Sequence, residues 1–274
     1  IFLQSIGPRL GGLLTKDIGE LKRIFLSPGP IFDPEDRMDD YWGYTEAFYS
    51  VGFRPGDVVQ VTFNYHLSPA GLMFEEPLRN LGCASIPAGP TDPGTQLDIM
   101  QKLRVSGYVG TASYLMHLAQ KAEEKGINLR KDLFQEVAFV TGERLSEKMR
   151  NQLEKKFDII LRQGYGTADV GCIGYECFHK TGLHISNRCY VEICHPDTGI
   201  PLKDGEVGEI VVTSFNKTYP LIRLATGDLS YIDRAPCACG RTSPRLGSIV
   251  GRVDTTARIK GMFVYPHQVE QVMA

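Results

Sequence analysis

The chain lacks the marks of several protein classes. It has no excess of basic charge: 30 Lys+Arg stand against 32 Asp+Glu, a formal net charge of −2. A surface that attracts polyanions by bulk charge is therefore not expected, and no nucleic acid is expected among its partners. No run of 18 apolar residues occurs, so no membrane span or membrane partner is expected. The opening "IFLQSIGPRLGGLLT" has neither the basic flank nor the small-residue cleavage site of a secretory signal. The seven cysteines are odd in number and gathered late, which argues against a disulfide framework and for a reducing, cytoplasmic setting. No internal repeat or low-complexity stretch breaks the chain. What is present is 274 residues, 42% hydrophobic and 23% charged. That is the profile of a globular protein of one large domain or two ordinary ones.

Hydrophobic patterning divides the chain in two. Residues 1–26 read as an irregular or helical lead-in ending in the apolar segment 24–26, and "SPGPIFDP" at 27–34 as a Pro/Gly turn cluster. Helical spacing is expected over 39–51, 71–81, 96–103, 114–125 and 146–156, and strands over 58–63, 83–87, 107–110, 137–140 and 158–161. Such alternation predicts an α/β fold with helix-covered, mostly parallel sheets, in which ligands sit beyond the C-terminal strand ends. From about residue 182 the texture changes to short strands (190–194, 208–214, 229–233) between turns such as "HPDTG" and "KDGEVG". That pattern predicts a small antiparallel, barrel-like subdomain.

Three glycine-bearing turns follow one another in the last third. "QGYGTADVG" carries Asp169, "LIRLATGDLSYI" carries Asp228, and "VGRVDTTARIKG" carries Arg252, Asp254 and Lys260. Glycine permits close backbone approach to a ligand. A neighbouring acid accepts ribose hydroxyls or holds a hard metal ion, and an arginine pairs with phosphate. Alone, each is a common turn. In this order, and together with "TGERL" upstream, they resemble the adenylate-forming (AMP-binding, acyl-CoA synthetase) superfamily and, within it, the phenylacetate–CoA ligase-like branch. The flanking elements "GFRPGDVV", "LGCASIP" and "VGTASYL" also align with that branch, and the resemblance covers the chain from about Ile24 onward.

The resemblance implies roles. The fold would be the large N-terminal domain of an adenylate-forming enzyme: 1–181 an α/β nucleotide- and acyl-binding region, 182–253 the barrel-like subdomain, and 254–274 the hinge and start of a truncated C-terminal lid. Tyr165 would stack on adenine, with Gly166 and Thr167 contacting base and α-phosphate. Thr141, Gly142 and Glu143 would border the base. Asp169 falls where the family has its Mg²⁺-ligating glutamate, and Ala168 replaces a hydroxyl residue. Asp228 would accept both ribose hydroxyls, Arg252 would reach ribose and phosphate, and Asp254 would form the hinge. Lys260 would lie on the lid face near the thiol tunnel. In "NYHLSPAG", His66 would stand near the substrate carboxylate, with Tyr65, Ala70 and Gly71 shaping the pocket floor. Thr111, Ser113 and Tyr114 would supply another wall, suited to a flat aromatic acid. The implied partners are ATP/AMP, Mg²⁺, CoA and a small carboxylic acid, with a homodimer left open. The family's catalytic lid lysine has no counterpart before Ala274, so this chain alone is expected to bind nucleotide better than it turns over.

One segment departs from the family pattern. Its phosphate loop is rich in Ser, Thr and Gly and ends near a lysine, whereas here the place reads "SPGPIFDPED". Pro28 and Pro30 offer no N–H, and Ser27 is the one hydroxyl. Two readings stay open: an acid–thiol ligase forming acyl-AMP and then acyl-CoA with a tailored loop, or an AMP- or acyl-binding protein with little ligase activity. Finally, Cys177 and His184 in "ECFHKTGLH", with Cys237 and Cys239 in "APCACG", make a donor set suited to a structural, tetrahedral Zn²⁺. A subset of the branch carries a similar arrangement. His179 is a rival ligand, and free cysteines around a bare scaffold are the alternative. Cys83, Cys172, Cys189 and Cys194 read as small buried apolar residues.

Overall fold

The computed structural model describes residues 4, 5, 7–28, 30–255, 257–259 and 262–264. Near its start, strands β1 (Arg23–Ser27) and β2 (Ile31–Glu35) pair antiparallel, with Ser27 opposite Ile31. The expected turn cluster at 27–34 is thus mostly strand, with turns described at Pro28 and Pro30. Pro34 fits because in a two-stranded ribbon alternate N–H groups face away from the partner.

Helix α1 (Thr45–Val51) is shorter than the 39–51 pattern. Asp40 adopts φ 50° and Gly43 φ 73°, which bends the chain before the helix. The Asp40 carboxylate accepts the Tyr44 and Thr45 N–H groups at 2.9 and 3.2 Å, closing the helix start there.

The order then runs β3 (Val58–Val61), α2 (Ala70–Asn80), β4 (Ala84–Pro87), α3 (Pro93–Lys102), β5 (Gly107–Gly110), α4 (Ala112–Glu124), β6 (Val137–Val140), α5 (Glu147–Phe157) and β7 (Ile160–Thr167). Strands β4, β3, β5, β6 and β7 lie side by side and parallel. On the far side of β7 the sheet continues antiparallel through β8 (Gly171–Glu176), β9 (Leu183–Ile185), β14 (Arg245–Leu246) and β13 (Ile232–Asp233), giving nine strands. The sheet therefore runs on past residue 181. A separate four-stranded antiparallel sheet holds β10 (Cys189–Cys194), β11 (Gly208–Ser214), β12 (Leu224–Ser230) and β15 (Gly251–Arg252). Strands β16 (Ala257–Ile259) and β17 (Met262–Val264) form a two-stranded ribbon.

Strand periodicity separates two cores. Val59, Val61, Val109, Val137 and Phe139 point to the face covered by α1 and α2, where Phe48 meets Phe139 edge-on at 5.0 Å. Their chain neighbours Val58, Tyr108, Ala138 and Val140 point to the face covered by α3, α4 and α5, among Leu97, Leu115, Leu118 and Leu153. A parallel strand buried on both faces must be apolar throughout, which is why β6 reads "VAFV".

Candidate nucleotide and metal sites

The two strands that carry Tyr165 and Asp228 belong to different sheets, and the fold brings them together. Tyr165 lies on β7, which runs six residues further than the 158–161 pattern because β8 folds back along it. The turn expected after this strand is therefore the end of a hairpin. The Tyr165 hydroxyl donates to Asp228 Oδ2 at 2.8 Å. Burial, then the Asp228 charge, holds the Tyr165 phenol far above its usual range, so it remains a donor. Arg252, directly across from Asp228 on β15, donates Nη1 to Asp228 Oδ1 at 3.0 Å and Nε to Asp254 Oδ1 at 3.1 Å. Gly227, at φ 78°, brings the backbone up against the Arg252 guanidinium. Each Asp228 oxygen thus has one protein donor, and a carboxylate oxygen can accept another. That spare capacity suits a vicinal diol.

The remaining turn is held from behind. Trp42 Nε1 donates to the Ala168 carbonyl at 3.1 Å, and Val170 N–H to Thr167 Oγ1 at 3.2 Å. A Cβ on Gly166 would collide with the Gly171 carbonyl and the Tyr44 hydroxyl, so this glycine is required by packing inside the protein. Thr141 donates its hydroxyl to the Gly164 carbonyl at 2.9 Å, tying β6 to β7. Gly142 turns with φ 83°. Glu143, expected at the base, directs both oxygens onto the start of α4: Ser113 N–H at 2.6 Å and Ser113 Oγ at 2.8 Å. Residues 141–143 and 111–114, placed in different pockets by the sequence, are therefore one cluster.

A cavity of about 180 Å³ sits beside that cluster, lined by Thr62, Phe63, Pro90, Thr111 and Tyr114. Tyr114 closes one side by donating its hydroxyl to the Thr91 carbonyl at 2.7 Å. Of the expected pocket residues, Thr111 and Tyr114 line it, whereas Tyr65, Ala70, Gly71 and Ser113 do not. The Tyr65 ring lies over Gly71, where any Cβ would collide with it. His66 is exposed on the loop between β3 and α2. Lys260 lies outside the described residues. A larger cavity, about 630 Å³, lies elsewhere, against Lys16, Asp36, Arg188 and Lys217, and contains none of the expected site residues.

Asp33 is an acid that sequence reasoning missed. On β2, inside the departing segment, it is 1% exposed, and neither carboxylate oxygen has a hydrogen-bond partner. Burial raises it to about 7; the Ser27 hydroxyl opposes this, and the adjacent Asp169 carboxylate raises it further. Nothing in "IFDPED" distinguishes this acid from its neighbours; only the fold sets it beside Asp169.

Cys177, His184, Cys237 and Cys239 converge, their ligand atoms all within 4.8 Å of one another. Cys177 Sγ and Cys237 Sγ are 3.8 Å apart, and Cys239 Sγ is 3.4 Å from His184 Nε2. Tetrahedral Zn²⁺ with bonds of about 2.3 Å to sulfur and 2.0–2.1 Å to nitrogen requires separations of roughly 3.8 and 3.5 Å. His184 Nδ1 meets Ser243 Oγ at 3.2 Å, an outer partner that orients the ring. Burial, then the charges of Arg241 and Arg245, lower the His184 pKa and keep the imidazole neutral. Burial alone would raise Cys237, but the Cys239 N–H and nearby Sγ atoms outweigh it and bring it to about 7. His179 is not part of the cluster and packs against Phe178. Cys83, Cys172, Cys189 and Cys194 are buried.

The chain belongs to the AMP-binding enzyme family, whose sequence pattern matches residues 41–217. Within that family it is similar to phenylacetate-coenzyme A ligases. It is 32% identical to that of Thermus thermophilus over 229 residues, 82% of this chain and 51% of the relative. It is 31% identical to that of Pseudomonas putida over 227 residues, 81% of this chain and 51% of the relative. The chain spans about half the length of the curated relatives it matches. Among solved structures it superposes on an open conformation of 2-hydroxyisobutyryl-CoA ligase in complex with 2-HIB-AMP and CoA, with a TM-score of 0.91 and 24% identity over 99% of this chain and 66% of that one. It also matches ATP-bound MatB from Rhodopseudomonas palustris with a TM-score of 0.69 and 17% identity over 93% and 53%. At these identities the structural likeness is one of fold, and it bears out the α/β architecture. No helix among the described residues is long and apolar enough to cross a membrane.

Proposed function

We propose that the protein is an AMP-forming acid–thiol ligase of the phenylacetate–CoA ligase kind. The observation that carries this reading is the Tyr165–Asp228–Arg252 constellation within a chain matched by the AMP-binding family. The carboxylate of an aryl or acyl acid attacks the α-phosphorus of ATP, and pyrophosphate leaves, giving acyl-AMP. The thiolate of CoA then attacks the acyl carbon, and AMP leaves with the electrons of the broken anhydride bond. Asp228 accepts the ribose hydroxyls through its remaining lone pairs, Tyr165 presents its ring to the base, and Arg252 stands between ribose and phosphate. Gly166 and Thr167 lie along the α-phosphate, and Thr141 and Gly142 along the base, with Glu143 holding the neighbouring helix start. The cavity at Thr111 and Tyr114 takes the acid, whose carboxylate His66 steadies from the adjoining loop, and Ser113 backs Thr111 through a hydroxyl contact of 3.2 Å. Its volume, about 180 Å³, suits a single ring or a short chain. Mg²⁺ bound at Asp169 would neutralise phosphate charge. Zn²⁺ at the Cys₃His cluster would be structural, since four protein ligands leave no open position. The cysteines, none of them in a disulfide among the described residues, support a cytoplasmic setting.

A second reading, a nucleotide or acyl binder without turnover, is favoured by the loop at Ser27, whose prolines cannot donate N–H groups to phosphate. Acid-dependent exchange of labelled pyrophosphate into ATP, run over a panel of aryl and short-chain acids, separates the two. Exchange with one of them supports the ligase. AMP binding without exchange supports the binder. In either case Asp228→Ala is expected to weaken AMP binding at least about tenfold, from the loss of hydrogen bonds to a charged acceptor worth about 1.5–3 kcal/mol. Unchanged AMP affinity by calorimetry would remove the nucleotide site from this position.

A further inference from the structure

The cavity of about 630 Å³ takes no part in the reaction described above. It lies between the segment before β1, the turn after β9 and the loop joining β11 to β12. In a chain whose net charge is −2, its lining is cationic: Lys16, Arg188 and Lys217 stand against one acid, Asp36. Asp36 is already neutralised, by Lys16 at 2.8 Å and by the Thr218 hydroxyl. Two positive charges are left over. Arg188 gives one of its five N–H groups to the Tyr41 carbonyl at 3.1 Å. Neither Arg188 nor Lys217 forms an ion pair among the described residues. Asp40 lies near Arg188, but its oxygens accept the Tyr44 and Thr45 N–H groups.

Both cations are presented by a fixed frame. The Arg188 side chain lies so close over Gly43 that a Cβ there would meet its Cδ at 2.2 Å, and the Arg188 carbonyl accepts the Phe215 N–H at 3.0 Å. Asn216 Oδ1 accepts the Thr218 and Tyr219 N–H groups at 2.9 and 3.2 Å, and the Thr218 carbonyl accepts the Thr15 N–H at 3.1 Å. The loop that carries Lys217 therefore has one course. On the same cavity, Phe215 and Met38 are 60% and 42% exposed. Large apolar side chains left in water beside uncompensated cations make a surface for an anion that carries a ring. We propose that this cavity binds a phosphorylated small molecule with an aromatic ring, its phosphate on Arg188 and Lys217 and its ring against Phe215. The surplus of two charges matches the dianion of a phosphate monoester, and the guanidinium fork matches its oxygens; a single carboxylate would leave one charge unmatched. None of Tyr165, Asp228 and Arg252 lines the cavity, so the site is separate from the nucleotide site and stands whether or not the ligase reading does.

The probe is 1-naphthyl phosphate, a fluorescent ring bearing one phosphate, titrated into the full chain with AMP in excess. Inorganic phosphate and 1-naphthol are the phosphate-only and ring-only controls. Saturable binding is expected, weaker for both controls and weakened by added salt. Arg188→Gln and Lys217→Gln should each lower the affinity about tenfold or more, through loss of a hydrogen bond between charged groups. The Lys217 side chain holds no other residue among those described, so its variant reads the site even where Arg188→Gln unsettles the turn at Gly43. Asp228→Ala should leave the affinity unchanged. Three results overturn the site: no saturable binding, displacement of the probe by AMP, or affinities within about twofold of the wild type in both cation variants. A protein that binds the probe but never binds AMP keeps this site and loses the ligase reading.

Discussion

Asp228 shows how much one side chain depends on three separate stretches of chain. Its own strand is set by "TGD", while its partners come from β7 and β15, 63 and 24 residues away. The motif was legible because glycine beside an acid marks a turn that can meet a ligand. The donors on each oxygen were not, since neither lies near it in sequence. Glu143 makes the same point more strongly: a residue read as bordering a base spends both oxygens on Ser113 at the start of α4. Gly166 is a case where the sequence cue was sound and the cause lay elsewhere, in the Tyr44 hydroxyl and the Gly171 carbonyl. Gly166→Ala is accordingly expected to destabilise the fold by about 1–3 kcal/mol through overpacking, measurable by urea denaturation. A neutral substitution would mean that the β7–β8 hairpin shifts freely.

At the scale of elements, β7 and β8 form the joint between the parallel and antiparallel parts of the sheet. Arg150 of α5 clamps this joint. It donates to Glu176 at 2.7 and 2.9 Å and to the Leu161 carbonyl at 3.1 Å, and Glu176 also accepts the Gln163 backbone and side-chain N–H groups. Both charged side chains are almost fully buried, at 1% and 3% exposure; Arg150 also reaches Glu147 at 3.1 Å, whereas removing Arg150 takes away the cation that faces Glu176. Arg150→Met is expected to cost about 3–5 kcal/mol, and Arg150→Met with Glu176→Leu to recover part of that. Equal cost for the single and double variants would mean that the pair is not the source. The Cys₃His cluster clips the next element, joining the end of β8, strand β9 and the loop beyond β13. Metal analysis is expected to find one Zn²⁺ per chain, and removal by a strong chelator to lower the melting temperature. A chelator without effect on a protein free of zinc would return these cysteines to the role of ordinary thiols.

For the whole molecule, helix and strand periodicity was enough to place the parallel β3–β7 layer and its helices. Within that layer two strands, Gly107–Gly110 and Val137–Val140, coincide with their patterns. They are apolar on both faces, so burial leaves them no alternative ends. Where the patterning was less strict the structure moved the limits: β2 occupies most of a supposed turn, and α1 begins six residues late, at Thr45, because the chain bends at Asp40 and Gly43 and the Asp40 carboxylate accepts the Tyr44 and Thr45 N–H groups.

By itself the sequence determined the layered α/β class, the family, and the identity of the chemically apt residues, because periodicity and short glycine motifs depend on neighbours within a few positions. Only the tertiary structure decided which of those residues meet. Hydrogen bonds, ion pairs and shared burial between residues far apart in the chain depend on sheet order and crossovers, and a linear pattern does not carry that information. Asp33 beside Asp169, and four ligand atoms gathered from residues 177–239, exist only once the sheets are assembled.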